Sequence, residues 1–320
     1  MKKIVIAAPQ RDSAKVAEIQ ARHPESELVV AENRDQVLDL IGDADGLFGA
    51  PSAMEFAAAE QLQWVQAFSA GVEWLWNVPA LQGRDDVVVT NMRSAHAATI
   101  ADHCFGMLLY FTRALPDFKA LHDREEWGRG RVLDKMEALE GKTIGILGFG
   151  NIGRAIGRRG VGFGMKVLAV DAHPGQPGDG AEEVWPLDRL DEMCQKLDVL
   201  AISAPITPQT RGLISPARIA MLKKGSYVMV MSRGNIVDEP ALIEALKSGQ
   251  VAAAGLDVTH EEPLPAGDPL WKAPNCIVTP HTSARSELTM GHVWRIFEEN
   301  LGRFERGEPL MNVVDKKLGY

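Results

Sequence analysis

The sequence has little of several things, and each shortage excludes something. It holds three cysteines in 320 residues, Cys104, Cys194 and Cys276, far apart and without a C-x-x-C pair. That excludes a disulfide-stapled scaffold and fits reduced thiols in a cytoplasmic setting. A basic excess is missing as well: 34 lysines and arginines face 43 aspartates and glutamates, a formal net charge of -9. General nucleic-acid binders show the opposite balance, so no nucleic-acid partner is expected. No apolar run approaches the ~18 residues of a membrane span, and no membrane association is expected. The N-terminal MKKIVIAAPQ carries two lysines, but its apolar run IVIAAP is only six residues long. A secretory h-region needs more, so the run reads as a first β-strand. Internal repeats and low-complexity tracts are also lacking.

What is present is an ordinary globular composition, 46% hydrophobic and 24% charged, at a length that accommodates two domains. Short apolar runs (KIVIAAP, ELVVA, DGLFGA, LQWVQAF) alternate with segments such as SAKVAEIQAR and NRDQVLDLI, whose apolar residues recur three and four apart. Strands separated by helices imply a parallel sheet covered on both faces. HAATIADHCFGMLLYFTRALPDF, residues 96–118, reads as one long, mostly apolar helix, followed by a polar arm, REEWGRGRV. A second series then begins at GKTIGILGFG. Its strands are TIGILGF, MKVLAVD, VLAISAP, SYVMVMS, VAAAGLDV and CIVTP. Ser215 and Asp238 read as helix N-caps, Gly249 as a helix end, and a last helix is expected over 286–306.

TIGILGFGNIGRAIG contains G-x-G-x-x-G at Gly148, Gly150 and Gly153, after an apolar strand and before a helical pattern. The first glycine permits the tight turn, the second lets the backbone approach a pyrophosphate, and the third lets the helix pack on the strand. The helix N-terminus then points free N–H groups at the phosphates. The next strand ends in Asp171, 18 residues after Gly153, where an acid holds the adenosine ribose hydroxyls. An anion there repels a 2′-phosphate, so NAD(H) is favoured. Arg154 and His173 nearby keep NADP(H) possible.

From about Gly141 to Ala284 the chain resembles the D-isomer-specific 2-hydroxyacid dehydrogenases, of the glyoxylate/hydroxypyruvate reductase kind. The matching pieces are LGFGNIGR, SAPITPQTRGLI, MVMSRGNIVDEPALIEAL, GLDVTHEEPLP and TPHTSA. FSAGVE is similar to the family's substrate-domain loop, and ATIADHCFGMLLYFTR to its inter-domain helix. One departure is visible: that helix commonly opens Val-Ala-Glu in the family, whereas this chain has Ile100, Ala101 and Asp102.

The resemblance implies an α/β fold of two doubly wound parallel-sheet domains. A Rossmann cofactor domain, residues 99–285, is inserted in a flavodoxin-like substrate domain made of 1–98 and 286–320. It implies hydride transfer between NAD(H) and a small 2-oxo or D-2-hydroxy acid, and a homodimer through the long helix and the arm. His281 is then the acid in reduction and the base in oxidation. Glu262 orients it and favours its protonated form, and Arg233 pairs with the substrate carboxylate. Asp257 supports the nicotinamide amide. Asn151, Ile152, Arg154, Pro205, Thr210, Met231, Ser232 and Ser283 join the glycines and Asp171 around the cofactor. Ser69, Ala70, Gly71 and Val72 meet the substrate carboxylate from the other domain, and closure expels water. Met54, Phe68 and Trp74 are candidates for the side-chain pocket, and Trp127 for a cleft wall.

Two other readings compete. AFSAG is one residue short of a G-x-S-x-G nucleophile elbow, which makes Ser69 a candidate hydrolase nucleophile, but that reading leaves the Gly-rich turn unexplained. A non-enzymatic NADH-sensing protein, corepressor-like, would keep the same four residues; the lack of disordered tails argues against it. His260 beside Glu261 and Glu262 has no partner spacing of a metal site, so no metal is expected.

Overall fold

The computed structural model describes residues 1–7, 12–317 and 319. In chain order the first elements are β1 (Lys2–Ile6), α1 (Ser13–Arg22), β2 (Ser26–Val30), α2 (Arg34–Leu40), β3 (Gly46–Phe48), α3 (Ala53–Ala58), β4 (Trp64–Gln66), α4 (Pro79–Gln82) and β5 (Val88–Thr90). There follow α5 (Ala97–Thr112), α6 (Leu115–Asp123), β6 (Thr143–Leu147), α7 (Asn151–Gly162), β7 (Lys166–Val170), β8 (Ala181–Trp185), α8 (Leu190–Lys196) and β9 (Val199–Ile202). The chain ends with α9 (Pro216–Met221), β10 (Ser226–Val230), α10 (Glu239–Ser248), β11 (Val251–Leu256), β12 (Cys276–Val278) and α11 (Glu287–Arg306). It divides into two compact units, Met1–His96 with Ser286–Tyr320, and Ala97–Arg285.

The first unit is built on a five-stranded parallel sheet in the order β2-β1-β3-β4-β5, the flavodoxin-like order. Alternate residues feed opposite faces. Val5, Leu47, Val65 and Val89 enter one apolar cluster, while Ile4, Ile6, Phe48 and Trp64 enter another with Trp294, Phe297 and Leu301 of α11. The Phe297 ring stacks on Phe48 at 4.5 Å. Ser286 caps α11 through the Thr289 amide, and Gly307 closes it in the left-handed region.

The second unit carries seven parallel strands in the order β12-β11-β10-β9-β6-β7-β8, so the chain reverses direction between β6 and β9. This is the dinucleotide-fold order extended by one strand. Both faces are again apolar: Leu200, Val228, Val230 and Leu256 on one, Ile144, Ile146, Ala201 and Met229 on the other. The near-continuous apolar runs of the sequence follow from this double burial. Ser215 and Asp238 cap α9 and α10 as expected, and Gly249 ends α10 with φ +71°.

The helix expected over 96–118 is two helices. Ala114 turns left-handed at φ +52°, and Pro116 stands in the first turn of α6. Proline has no N–H to continue the helix, and its ring clashes with the carbonyl four residues back. The Thr112 carbonyl instead accepts the Glu137 amide at 2.8 Å. Two strands have no counterpart in the sequence reading. β5 is only three residues long, and β8 (AEEVW) carries exposed Glu182 and Glu183 at the sheet edge.

Candidate active site

β6 runs into the Gly-rich turn and out into α7. Gly148 has φ +88°, and a Cβ there would lie 2.4 Å from the Ala204 amide nitrogen. A Cβ on Gly153 would lie 2.1 Å from the Gly148 carbonyl oxygen. Any side chain at either position pushes the turn off the strands. Gly150 is the N-cap of α7 and supplies no capping side chain, so the first-turn amides of Asn151 and Ile152 lack that partner. An uncapped helix start behind a close-packed glycine turn fits a pyrophosphate.

Asp171 follows β7 directly. Its carboxylate accepts the Phe149 amide at 2.7 Å and the His173 amide at 2.9 Å, which aims it across the end of the turn. Arg154 is engaged elsewhere, with Asp179 at 3.3 Å.

After β9, the Thr210 hydroxyl donates to the Pro205 carbonyl at 2.7 Å and holds that loop closed. After β10 come Met231 and Ser232, both buried; the Ser232 hydroxyl has no hydrogen-bond partner among the described residues. Arg233 follows, half-buried, and its Nη1 donates to the Ser232 carbonyl at 2.6 Å. Gly234 comes next because the following loop crosses it: a Cβ there would lie 2.1 Å from the Thr259 carbonyl carbon.

Asp257, one residue past β11, organises the loop after β12. Its fully buried carboxylate accepts the Thr279 hydroxyl at 2.6 Å and the amides of Thr282 and Ser283 at 2.9 and 3.0 Å. Its carbonyl accepts the His281 amide at 2.8 Å. Burial pushes the Asp257 carboxyl up, but these hydrogen bonds outweigh it and hold it below the usual carboxylate range. His281 itself sits left-handed at φ +51°.

The His281 Nδ1 lies 2.8 Å from Glu262 Oε2, while Glu262 Oε1 accepts the Thr259 amide at 3.1 Å. A carboxylate only accepts, so Nδ1 carries the hydrogen and Nε2 is left to exchange a proton. Glu261 is exposed and uses its carbonyl, not its carboxylate, to accept the Thr259 hydroxyl at 2.7 Å. Arg233, Asp257, Glu262 and His281 thus all lie beyond the C-terminal ends of β10, β11 and β12, where open α/β sheets bind ligands.

Residues 105–283 match the sequence family described as D-isomer specific 2-hydroxyacid dehydrogenase, NAD binding domain. The chain belongs to this family. It is 34% identical over 98% of its length to the D-3-phosphoglycerate dehydrogenase of Methanocaldococcus jannaschii, and it spans 60% of that relative's length. It is 31% identical to the hydroxypyruvate reductase of Blautia hydrogenotrophica, with 88% of each chain covered. A solved D-isomer specific 2-hydroxyacid dehydrogenase from Xanthobacter autotrophicus, in complex with NADPH and MES, superposes with a TM-score of 0.79 at 29% identity, covering 100% of this chain and 99% of that one.

Against the dehydrogenase family's usual helix opening, the shorter acid here has a defined use: Asp102 on α5 pairs with Arg159 on α7 at 2.7 Å. In the first unit, the Ser69 hydroxyl donates to the Gly71 carbonyl at 2.6 Å, Asn91 holds the Ala70 carbonyl at 2.8 Å, and Val72 is core. Phe68 and Trp74 also pack against that unit's core, whereas Met54 and Trp127 are exposed.

Three further residues hydrogen-bond around these loops and were not singled out in the sequence. His103 on α5 lies 3.0 Å from the Thr279 hydroxyl, and the buried Glu239 carboxylate accepts the His260 amide at 2.5 Å. All three sit in quoted pieces, Thr279 in TPHTSA, Glu239 in MVMSRGNIVDEPALIEAL and His103 in ATIADHCFGMLLYFTR, but nothing in those pieces says what they meet.

Asp257→Asn tests the loop's organiser. The new amide turns an NH2 toward either the buried Ser283 N–H or the part-buried Thr282 N–H, which costs about 1–3 kcal/mol. The denaturation midpoint should fall accordingly. The wild-type carboxyl titrates below its unfolded value, so its stabilisation is present above the unfolded pKa and lost as pH falls through the folded one. The variant should lose that acid-dependent component, and an unchanged acid profile would refute the assignment.

Proposed function

We propose that the protein is an oxidoreductase that interconverts a small 2-oxo acid and its D-2-hydroxy acid with NAD(H). The observation that carries this reading is the His281–Glu262 pair at 2.8 Å, at the same sheet end as Arg233 and the Gly-rich turn. When bound, the nicotinamide supplies a hydride to the carbonyl carbon. His281 Nε2 gives the proton that the carbonyl oxygen needs, and takes it back in oxidation. Glu262 fixes the ring through Nδ1. Arg233 binds the substrate carboxylate through its planar fork. Asp257 keeps the His281 loop in place and, with Ser283, Ser232, Met231, Thr210 and Pro205, borders the nicotinamide. Gly148, Gly150, Asn151, Ile152, Gly153 and Asp171 hold the rest of the dinucleotide.

The hydroxypyruvate reductase relative supports the small-acid class, and Asp171 supports NAD(H) over NADP(H). Exposed apolar side chains on α6 and on the arm, Leu115, Phe118 and Trp127, with Leu133 just past it, support a homodimer through that segment. Three free cysteines support a reducing, cytoplasmic compartment.

The test is the rate of reduced-nicotinamide absorbance loss, with NADH against NADPH, across 2-oxo acids of increasing bulk. Turnover of at least one acid, faster with NADH, is expected. Cofactor binding without turnover of any acid would sink the enzymatic reading and leave the sensor reading in its place.

A further inference from the structure

Arg154 stands one residue past Gly153, in the first turn of α7. The ring of Phe149 links it to the end of β7. Its guanidinium lies 4.9 Å from that ring's centroid, and the Phe149 amide donates to Asp171 at 2.7 Å. A cation beside the ribose-binding acid is the residue type that holds a 2′-phosphate. This one is engaged at both ends of its fork. Nη1 lies 3.3 Å from Asp179 Oδ2, and Nη2 donates to the Gln176 carbonyl at 2.5 Å. The other Asp179 oxygen takes Arg158 Nη1 at 2.7 Å.

The segment that holds Arg154 is the loop between β7 and β8. That loop leaves Asp171 and folds back on α7. Asp179 takes φ +52° to present its carboxylate there, and a Cβ on Gly157 would lie 2.4 Å from the Asp179 carbonyl oxygen. The arrangement is therefore close-packed on the backbone side as well as paired through side chains. The two arginines, Arg158 first, keep the Asp179 carboxyl below the usual carboxylate range, so it is anionic at neutral pH.

We propose that Asp179 sets the cofactor preference of this chain by holding Arg154 away from a 2′-phosphate. Two independent devices then favour NADH: the anion at Asp171, which repels the phosphate, and Asp179, which withholds the cation that would bind it. The proposal rests on the cofactor reading given above. A relative on the same scaffold was solved with NADPH, so the fold does not by itself bar the phosphate.

The experiment is fluorescence titration of the full chain with NADH and with NADPH, for wild type, Asp179→Asn, Arg154→Ala and the double variant. Asp171 is present in all four, so its repulsion cancels from the comparison. Asp179→Asn should tighten NADPH by roughly tenfold, the lower end of what a charge-assisted hydrogen bond to a phosphate contributes. NADH affinity should change far less. The gain should vanish when Arg154→Ala is added. Unchanged NADPH affinity in Asp179→Asn, or the same gain without Arg154, overturns the proposal; the second result would mean that only bulk charge was removed. Asp179→Ser repeats the test should the asparagine variant not fold, with circular dichroism as the check. A wild-type chain that binds neither dinucleotide would overturn the cofactor reading instead, so the two failures are told apart.

Discussion

His281→Gln lowers kcat for 2-oxo acid reduction by roughly 10²–10⁴-fold and leaves NADH affinity unchanged. Glutamine keeps a hydrogen-bonding group toward Glu262 but has no proton to give at neutral pH. The magnitude decides between two accounts of the residue. The His281–Glu262 pair is partly exposed, with 47% and 38% of the two side chains accessible. An ion pair in such a setting contributes about 0–1 kcal/mol, which is roughly fivefold at most. A loss beyond a hundredfold therefore reports proton transfer, not the lost pair. Steady-state kinetics with a saturating acid, together with an NADH titration, make the measurement. A variant that keeps more than a tenth of wild-type kcat would remove His281 from the chemistry.

The second large effect falls on Arg233. Arg233→Ala should cost about 2–5 kcal/mol of transition-state stabilisation, roughly 30- to 4,000-fold in kcat/KM. Nη1 donates to the Ser232 carbonyl, which fixes the guanidinium plane. Lysine restores the charge but not the fork, so Arg233→Lys should recover only part of the loss. The two variants should differ mainly in KM if Arg233 grips the ground-state carboxylate, and in kcat as well if it also polarises the carbonyl. Equal kcat/KM in wild type and Arg233→Lys would show that no bidentate contact exists.

Much of the site was legible because its signals are local. A glycine that must accept a neighbouring backbone, as Gly148 and Gly153 do here, announces itself in a strand–turn–helix pattern. An acid at the end of the next strand, Asp171, has a fixed distance from that pattern. Helix ends were legible for the same reason: Ser215, Asp238 and Gly249 act on amides and carbonyls within a few residues of themselves. Pro116 carried a local signal of the same kind, against a single helix over 96–118, and the apolar periodicity around it concealed the break.

The sequence by itself determined the two parallel α/β layers, the Gly-rich turn, and the identity and order of Arg233, Asp257, Glu262 and His281. Tertiary structure alone decided how those four are held. Glu262 meets His281 across 19 positions of chain, Thr282 and Ser283 reach Asp257 across 25 and 26, and His103 reaches Thr279 across 176. It also decided that Arg154 is spoken for, because Asp179 arrives from a loop 25 residues away. Hydrogen-bond partners chosen by the packing of β7, β11 and β12 leave no periodicity in the chain. A sequence pattern records which face a residue takes, and only the folded sheet records which residue it meets there.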